Sequence, residues 1–204
     1  MTLKCQNTVT QLLQYRHMNI QRDGIEALFA ARGQLAYDGE GITQWQHAWQ
    51  CGQLALQARA PAQLQLAAWL HDLGHLLTGL DGTPTLRGHD DRHEALAARV
   101  LEPLFGTAVA APVALHVQAK RYLVAARPGY RERLSADSVR SLALQGGPMT
   151  PEECTSFEQQ PFAEDALRLR AWDDLGKRPD WHPPPEAAAA LQTLMRSVGT
   201  GLRA

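Results

Sequence analysis

Apolar residues in this chain are spread through long stretches rich in Ala, Leu, Gln and Arg, with few runs of Val, Ile or Thr. That pattern favours helix throughout. A first helix is predicted from about Arg22 to Ala31, with Gly33 beginning its exit. The two glycines of Tyr37-Asp38-Gly39-Glu40-Gly41 mark a flexible loop. Thr43 is placed to cap a second helix carrying Trp45, His47, Trp49, Leu54 and Leu56. Pro61 opens a third, running through Leu64, Leu66, Trp69 and Leu70 to His71 and Asp72.

A Gly/Asp/Pro-containing connection from Thr78 to Gly88 leads to a helix through His93, Ala97, Val100 and Leu104. The next covers Val113 to about Ala125 and sets His116 and Lys120 at i,i+4 on one face. Ser135 begins a short helix that stops at Gly146-Gly147-Pro148. A later helix, about Pro161 to Leu175, carries Arg170 and Asp173 at i,i+3, and a last one from about Pro185 packs on the rest. Pro183-Pro184-Pro185 reads as a helix-entry linker. The expectation is an all-α helical bundle forming a single domain over residues 1–204.

A chain of 204 residues can bury a substantial core without staples. The formal net charge of −1 gives no electrostatic reason to expect nucleic acid or an anionic membrane as partner. Cys5, Cys51 and Cys154 are widely separated with no CxxC pair, so they read as reduced thiols. No apolar run approaches a bilayer span, and Met1 to Asn19 is polar without a signal-like stretch, so a cytoplasmic location is expected.

The chemistry lies in one ordered series: His47, His71-Asp72, His75, His93, His116 and Asp173. A lone histidine on a helix is by default a packed or surface residue, which is how His17, His89 and His182 are left. That default weakens for a set spread over different helices, because bundles build metal sites from inward-facing ligands on several helices. Asp72 can bridge two cations, His47, His71, His93 and His116 can supply nitrogen, and Asp173 a terminal oxygen. Imidazole with carboxylate suits iron, manganese or zinc, and no thiolate cluster points to structural zinc. His71 and His75 share a face at i,i+4, yet His75 is free to meet substrate as acid, base or oxyanion donor.

The order His47, His71-Asp72, Asp173 resembles the HD-domain superfamily of helical metalloproteins, and His93 and His116 are what its two-metal members add. The resemblance spans about Tyr37 to Lys177. Further segments extend it: Tyr37-Asp38-Gly39-Glu40, the run from His116 to Tyr122, Leu134 to Leu142, Gln145 to Pro148, and Arg168 to Asp174. Together these resemble the HD-domain mixed-valence diiron oxygenases that cleave organophosphonates; myo-inositol oxygenase is a more distant relative with the same diiron arrangement. The resemblance implies two iron ions, Fe(II) and Fe(III). One would be held by His47, His71, Asp72 and Asp173, the other by Asp72, His93 and His116. Asp173 and Asp174 are adjacent, and the choice of Asp173 rests on register.

It further implies dioxygen-dependent cleavage of the C–P bond of a 1-hydroxyphosphonate to a carboxylate and phosphate, downstream of a separate hydroxylase. The first expectation for substrate is 2-amino-1-hydroxyethylphosphonate, giving glycine. Sibling activities on the trimethylammonio analogue, giving glycine betaine, or on hydroxymethylphosphonate stay open. Lys120, Arg170, His75 and Ser138 would bind the phosphonate. Tyr37 and Glu40 would form a lid, the tyrosine visiting an iron and the glutamate meeting the substrate's cationic nitrogen. Trp45, Trp49, Trp69 and Trp172 read as core, with an aromatic wall around a quaternary ammonium as the alternative. The competing functions are an HD phosphohydrolase with metal-bound water as nucleophile and a catalytically idle regulatory module.

Overall fold

The computed structural model describes residues 21–199 apart from 38, 79–83 and 89; Cys5, His17, Asp38 and His89 therefore lie outside the described residues. The helices are α1 (Arg22–Arg32), α2 (Gln44–Gln57), α3 (Ala62–Leu70), α4 (Leu73–Thr78), α5 (His93–Phe105), α6 (Thr107–Ala126), α7 (Ala136–Leu144), α8 (Pro151–Glu158), α9 (Ala163–Leu175) and α10 (Ala187–Ser197). Two 3₁₀ turns, Pro84–Arg87 and Arg131–Arg133, lie among them. The fold is all-α. Its one extended pairing among the described residues is an isolated bridge between Ala36 and Thr43. No helix of the described residues is long and apolar enough to cross a membrane.

The start signals act as the sequence suggests. Thr43 accepts from the Gln46 amide at 3.1 Å, and Ser135 from the Ser138 amide at 3.2 Å, each relieving an unpaired first-turn donor. Three boundaries differ from expectation. Helix α6 starts at Thr107, so Pro112 lies inside it, because Gly106 at φ 81° makes the turn. Helix α8 was not anticipated, although Thr150, Pro151 and Glu153 form a capping box with proline in the first turn. The third helix ends at Leu70 rather than running through Asp72. The chain turns at His71-Asp72, closed by a His75 N–H bond to the Asp72 carbonyl at 3.0 Å, and resumes as α4. That break separates His71 from His75. The His71 ring meets His47 and His116 edge-on, at 5.1 and 5.2 Å, while His75 stacks on His93 at 4.0 Å.

Helix α6 is central, with α5, α9 and α3 packed around it; α2 covers α3 and α9, and α10 closes over α1 and α3. The main core contains Leu64, Leu66, Leu70, Leu73, Leu101, Val109, Val113 and Leu169, with Trp49, Trp69 and Trp172 buried and Trp45 packed against it. A smaller cluster, including Leu115, Ala119, Met149 and Phe157, seats α8 on the outer side of α6.

Helices α4 and α5 approach closely at Gly74. A Cβ there would stand 2.1 Å from the His93 carbonyl oxygen and 2.6 Å from its Cα, both backbone atoms that cannot rotate away. Gly74→Ala is therefore expected to cost about 1–3 kcal/mol by overpacking and to push the start of α5 outward. Denaturant unfolding of the variant, with metal uptake measured alongside, checks both effects; unchanged stability would show that the contact yields.

Candidate active site

The sequence delivers its donors to one point because each stands where a helix begins, ends or crosses the centre. His47 lies in the first turns of α2, His71 and Asp72 in the break between α3 and α4, His93 at the start of α5, His116 midway along α6 and Asp173 near the end of α9. All six are buried.

They form two groups that share Asp72. In the first, His47 Nε2 lies 3.3 Å from His71 Nε2, 3.5 Å from Asp72 Oδ2 and 3.5 Å from Asp173 Oδ1. In the second, His93 Nε2 lies 3.2 Å from His116 Nε2, and Asp72 Oδ1 is 3.5 and 3.7 Å from them. The two oxygens of Asp72 thus face opposite groups. Ligands held ~2.1 Å from a common ion stand ~3–4 Å apart, so both groups have coordination spacing.

Hydrogen bonding on the far side of each ring fixes its tautomer. Nδ1–H of His47 donates to the Gly176 carbonyl at 2.8 Å, that of His71 to Ala68 at 3.0 Å and that of His116 to Val113 at 2.7 Å. A carbonyl can only accept, so each of these Nδ1 atoms carries a proton and each Nε2 points into the cage. Burial holds His71 and His116 below the usual imidazole range, in the neutral form that ligates. Asp173 Oδ1 is buried without a hydrogen-bond partner. Facing lone pairs and an orphaned carboxylate oxygen are what a bound cation would satisfy, so the residues fit a metal cofactor.

Asp173 faces the cage, and Arg170 Nη1 braces its other oxygen, Oδ2, at 2.6 Å. Asp174 points away, bonded to Arg170 and to the Tyr130 hydroxyl. Burial opposes ionisation of Asp173, but Arg170 and Lys177 outweigh it and hold the carboxyl well below its usual range.

Tyr37, Glu40, His75, Lys120, Ser138 and Arg170 line one cavity with Asp72, His93, His116 and Asp173. The Tyr37 hydroxyl donates to Asp72 Oδ2 at 2.9 Å and its ring stacks on His47 at 4.0 Å. Lys120 is buried, donates to Ser141 Oγ at 2.7 Å, and is lowered to about 7 by burial and then by Arg170. Ser138 accepts from Lys177 Nζ at 3.2 Å. None of the four tryptophans singled out in the sequence lines this cavity.

Two residues escaped the sequence reading. Asp91 holds two rings at once, His75 Nδ1 at 2.7 Å and His93 Nδ1 at 2.9 Å. Its signal was weak, one acid in the mixed run from Asp90 to Glu94. Lys177 ion-pairs with Glu40 Oε1 at 3.6 Å and lies 3.9 Å from Asp173 Oδ1. The i,i+4 spacing that singled out Lys120 after His116 applies equally to Lys177 after Asp173. Burial opposes a charge on His93, but Asp91 outweighs it and raises the ring to about 10. Asp91→Asn removes that charge and one of two acceptors. Metal affinity should fall by about 10–100-fold, read by competition with a chelator; unaltered affinity would assign Asp91 to packing alone.

No family model matches the chain. It is 44% identical over 151 residues to hydroxymethylphosphonate dioxygenase of Gimesia maris, covering 74% of this chain and 75% of that one. It is 40% identical over 161 residues to the glycine-betaine-forming [1-hydroxy-2-(trimethylamino)ethyl]phosphonate dioxygenase of Leisingera caerulea, covering 78% and 82%. An uncharacterised protein of Acanthamoeba polyphaga mimivirus is 36% identical over 152 residues, 74% of this chain and 69% of that one. Two relatives that share a reaction type, aligned over most of their length with a chain whose buried donors fit a metal, make this chain a dioxygen-dependent oxidoreductase that belongs to the phosphonate dioxygenase family.

Proposed function

We propose that the chain cleaves the C–P bond of a 1-hydroxyphosphonate with dioxygen, using two iron ions, Fe(II) and Fe(III), for which Asp72 would be a shared ligand. The observation that carries the reading is the division of Asp72 between two imidazole pairs, beside a cavity that presents buried cationic side chains. His47, His71, Asp72 and Asp173 would hold one ion; Asp72, His93 and His116 the other. Such a pair supplies activation of dioxygen for removal of the C1 hydrogen. A hydroxyphosphonate dianion and dioxygen balance to a carboxylate, hydrogen phosphate and a proton. The C1 hydroxyl must already be present, so a separate hydroxylase acts upstream. We also place the enzyme in the cytoplasm.

The chain's own residues bind, orient and exclude. A phosphonate needs donors that stay charged in a buried site. Arg170 is held ionised by Asp173 and Asp174, against burial. Lys120 lies across the same cavity. His75 is clamped through Nδ1 by Asp91, which leaves Nε2 to face the cavity. Burial and His93 oppose its charge, but Asp91 raises it overall, so it can donate a charge-assisted hydrogen bond. Tyr37 covers the Asp72 face until substrate arrives. Burial and then Asp72 hold its phenol well above the usual range, so it remains a donor. Removing the tyrosine as substrate enters would keep the cage shielded between turnovers.

Phosphate release from iron-loaded protein should require both a 1-hydroxyphosphonate and dioxygen. Turnover of ordinary phosphomonoesters without dioxygen would replace this reading with hydrolysis. Lys120→Ala should lower kcat/KM by about 10–100-fold, the loss of one charged hydrogen bond. Because Lys120 acts protonated and its pKa is lowered to about 7, kcat/KM should fall as pH rises through that value. Lys120→Arg, charged at all these pH values, should move the falling limb upward; a limb that does not move would belong to another group.

A further inference from the structure

We infer that Cys51 gives the first donor group a second coordination set, Cys51, His47, His71 and Asp173, which takes a thiophilic divalent ion of the zinc class. The inference concerns the metal alone and rests on the hydroxyphosphonate reading only for the iron that such an ion would displace. Cys51 belongs to the main core, where a small apolar side chain would pack as well. Its neighbours, however, are ligand atoms. It stands one turn after His47 on α2, at i,i+4 and so on the same face, and Cys51, His47 and His71 are all fully buried. Sγ lies 3.6 Å from His47 Nε2 and 3.8 Å from Nδ1, and the thiol donates to the Trp172 carbonyl at 3.5 Å. One ligand atom from each of Cys51, His47 and His71 falls within 4.8 Å of the others. Asp173 Oδ1, buried without a hydrogen-bond partner, faces the same space, 3.5 Å from His47 Nε2 and 3.9 Å from His71 Nε2.

These spacings fit one ion. A nitrogen ~2.1 Å and a sulfur ~2.3 Å from a common metal stand about 3.6 Å apart at a tetrahedral angle. The two imidazoles, 3.3 Å apart, are equally compatible. Rotation about χ1 of Cys51 carries Sγ the rest of the way toward His71. Ligation exchanges the thiol proton for the metal and releases it to solvent. Two imidazole nitrogens, a thiolate and a carboxylate oxygen complete a tetrahedral set, with Asp72 Oδ2 left to the Tyr37 hydroxyl. Four protein ligands leave no open position, so an ion held this way is bound without chemistry. Nitrogen and oxygen donors alone suit iron, manganese and zinc alike, whereas a soft thiolate tips the choice toward zinc. Cys51 thereby makes the first group sensitive to zinc, which would hold the protein in an inert state.

The test uses full-length protein carrying Cys5→Ser and Cys154→Ser, in which Cys51 is the one remaining thiol. Cobalt(II), a spectroscopic stand-in for zinc, is titrated into the chelator-treated protein. A thiolate-to-cobalt charge-transfer band should grow in the near ultraviolet, and added zinc should abolish it. Cys51→Ser in the same background should lack the band and bind zinc at least about tenfold more weakly in competition with a chelator, while keeping its iron(II) affinity. Absence of the band in the protein that retains Cys51, or equal losses of zinc and iron(II) affinity in Cys51→Ser, would overturn the inference and return Cys51 to packing. If Cys51→Ser does not fold, the band of the protein that retains Cys51 decides. Neither readout uses turnover, so a failure of C–P cleavage in the phosphate-release assay leaves this test intact.

Discussion

Two pairs of imidazole nitrogens face each other across a single carboxylate, and the rest of the molecule is arranged to keep them there. His47 and His71 approach to 3.3 Å and His93 and His116 to 3.2 Å. Three of these four rings donate Nδ1–H to a backbone carbonyl, so their Nε2 atoms converge on the cage. With a cation in each group every one of these atoms would become a ligand, and metal binding would contribute directly to the stability of the fold.

Rigidity comes from the backbone. His71 and His116 each bond a carbonyl one turn earlier on their own segment, and His47 bonds the carbonyl of Gly176, freed at the end of α9. The helix ends are thus part of the cage. The chain's break at His71-Asp72 has the same purpose. A continuous helix would carry Asp72 around with the helix face, whereas the turn directs it between the two ring pairs and sends His75 to the side of His93. The close approach at Gly74 then fixes how far α5 stands from that turn.

Most of the scaffold was legible because its punctuation is local. Thr43, Ser135 and Gly146-Gly147 mark ends through hydrogen bonds or φ values that a few residues determine. The donor series was legible because imidazoles and carboxylates at several helix positions are hard to explain by packing. The break at His71-Asp72 was not, since nothing in Leu70 to Leu73 disfavours helix and tertiary contacts decide it. Helix α8 had a readable cap at Thr150, but its short apolar face is defined only by packing on α6. Asp91 was missed because one acid in a mixed charged run carries no periodic signal. Lys177 does stand at i,i+4 from Asp173, but its partner Glu40 is remote in sequence.

The loop carrying Tyr37 and Glu40 is held by two contacts, Tyr37 with Asp72 at the break between α3 and α4 and Glu40 with Lys177 just past the end of α9. The loop is also closed at its base, where the Tyr37 amide bonds the Ile42 carbonyl and the Gln44 amide bonds that of Leu35. Tyr37 and Glu40 therefore move as parts of one short turn rather than as independent side chains. On the proposed reading, an anion entering beside Lys177 would compete with Glu40 for the same ammonium, and a substrate oxygen approaching the Asp72 face would compete with the Tyr37 hydroxyl, so both competitions would loosen the same loop.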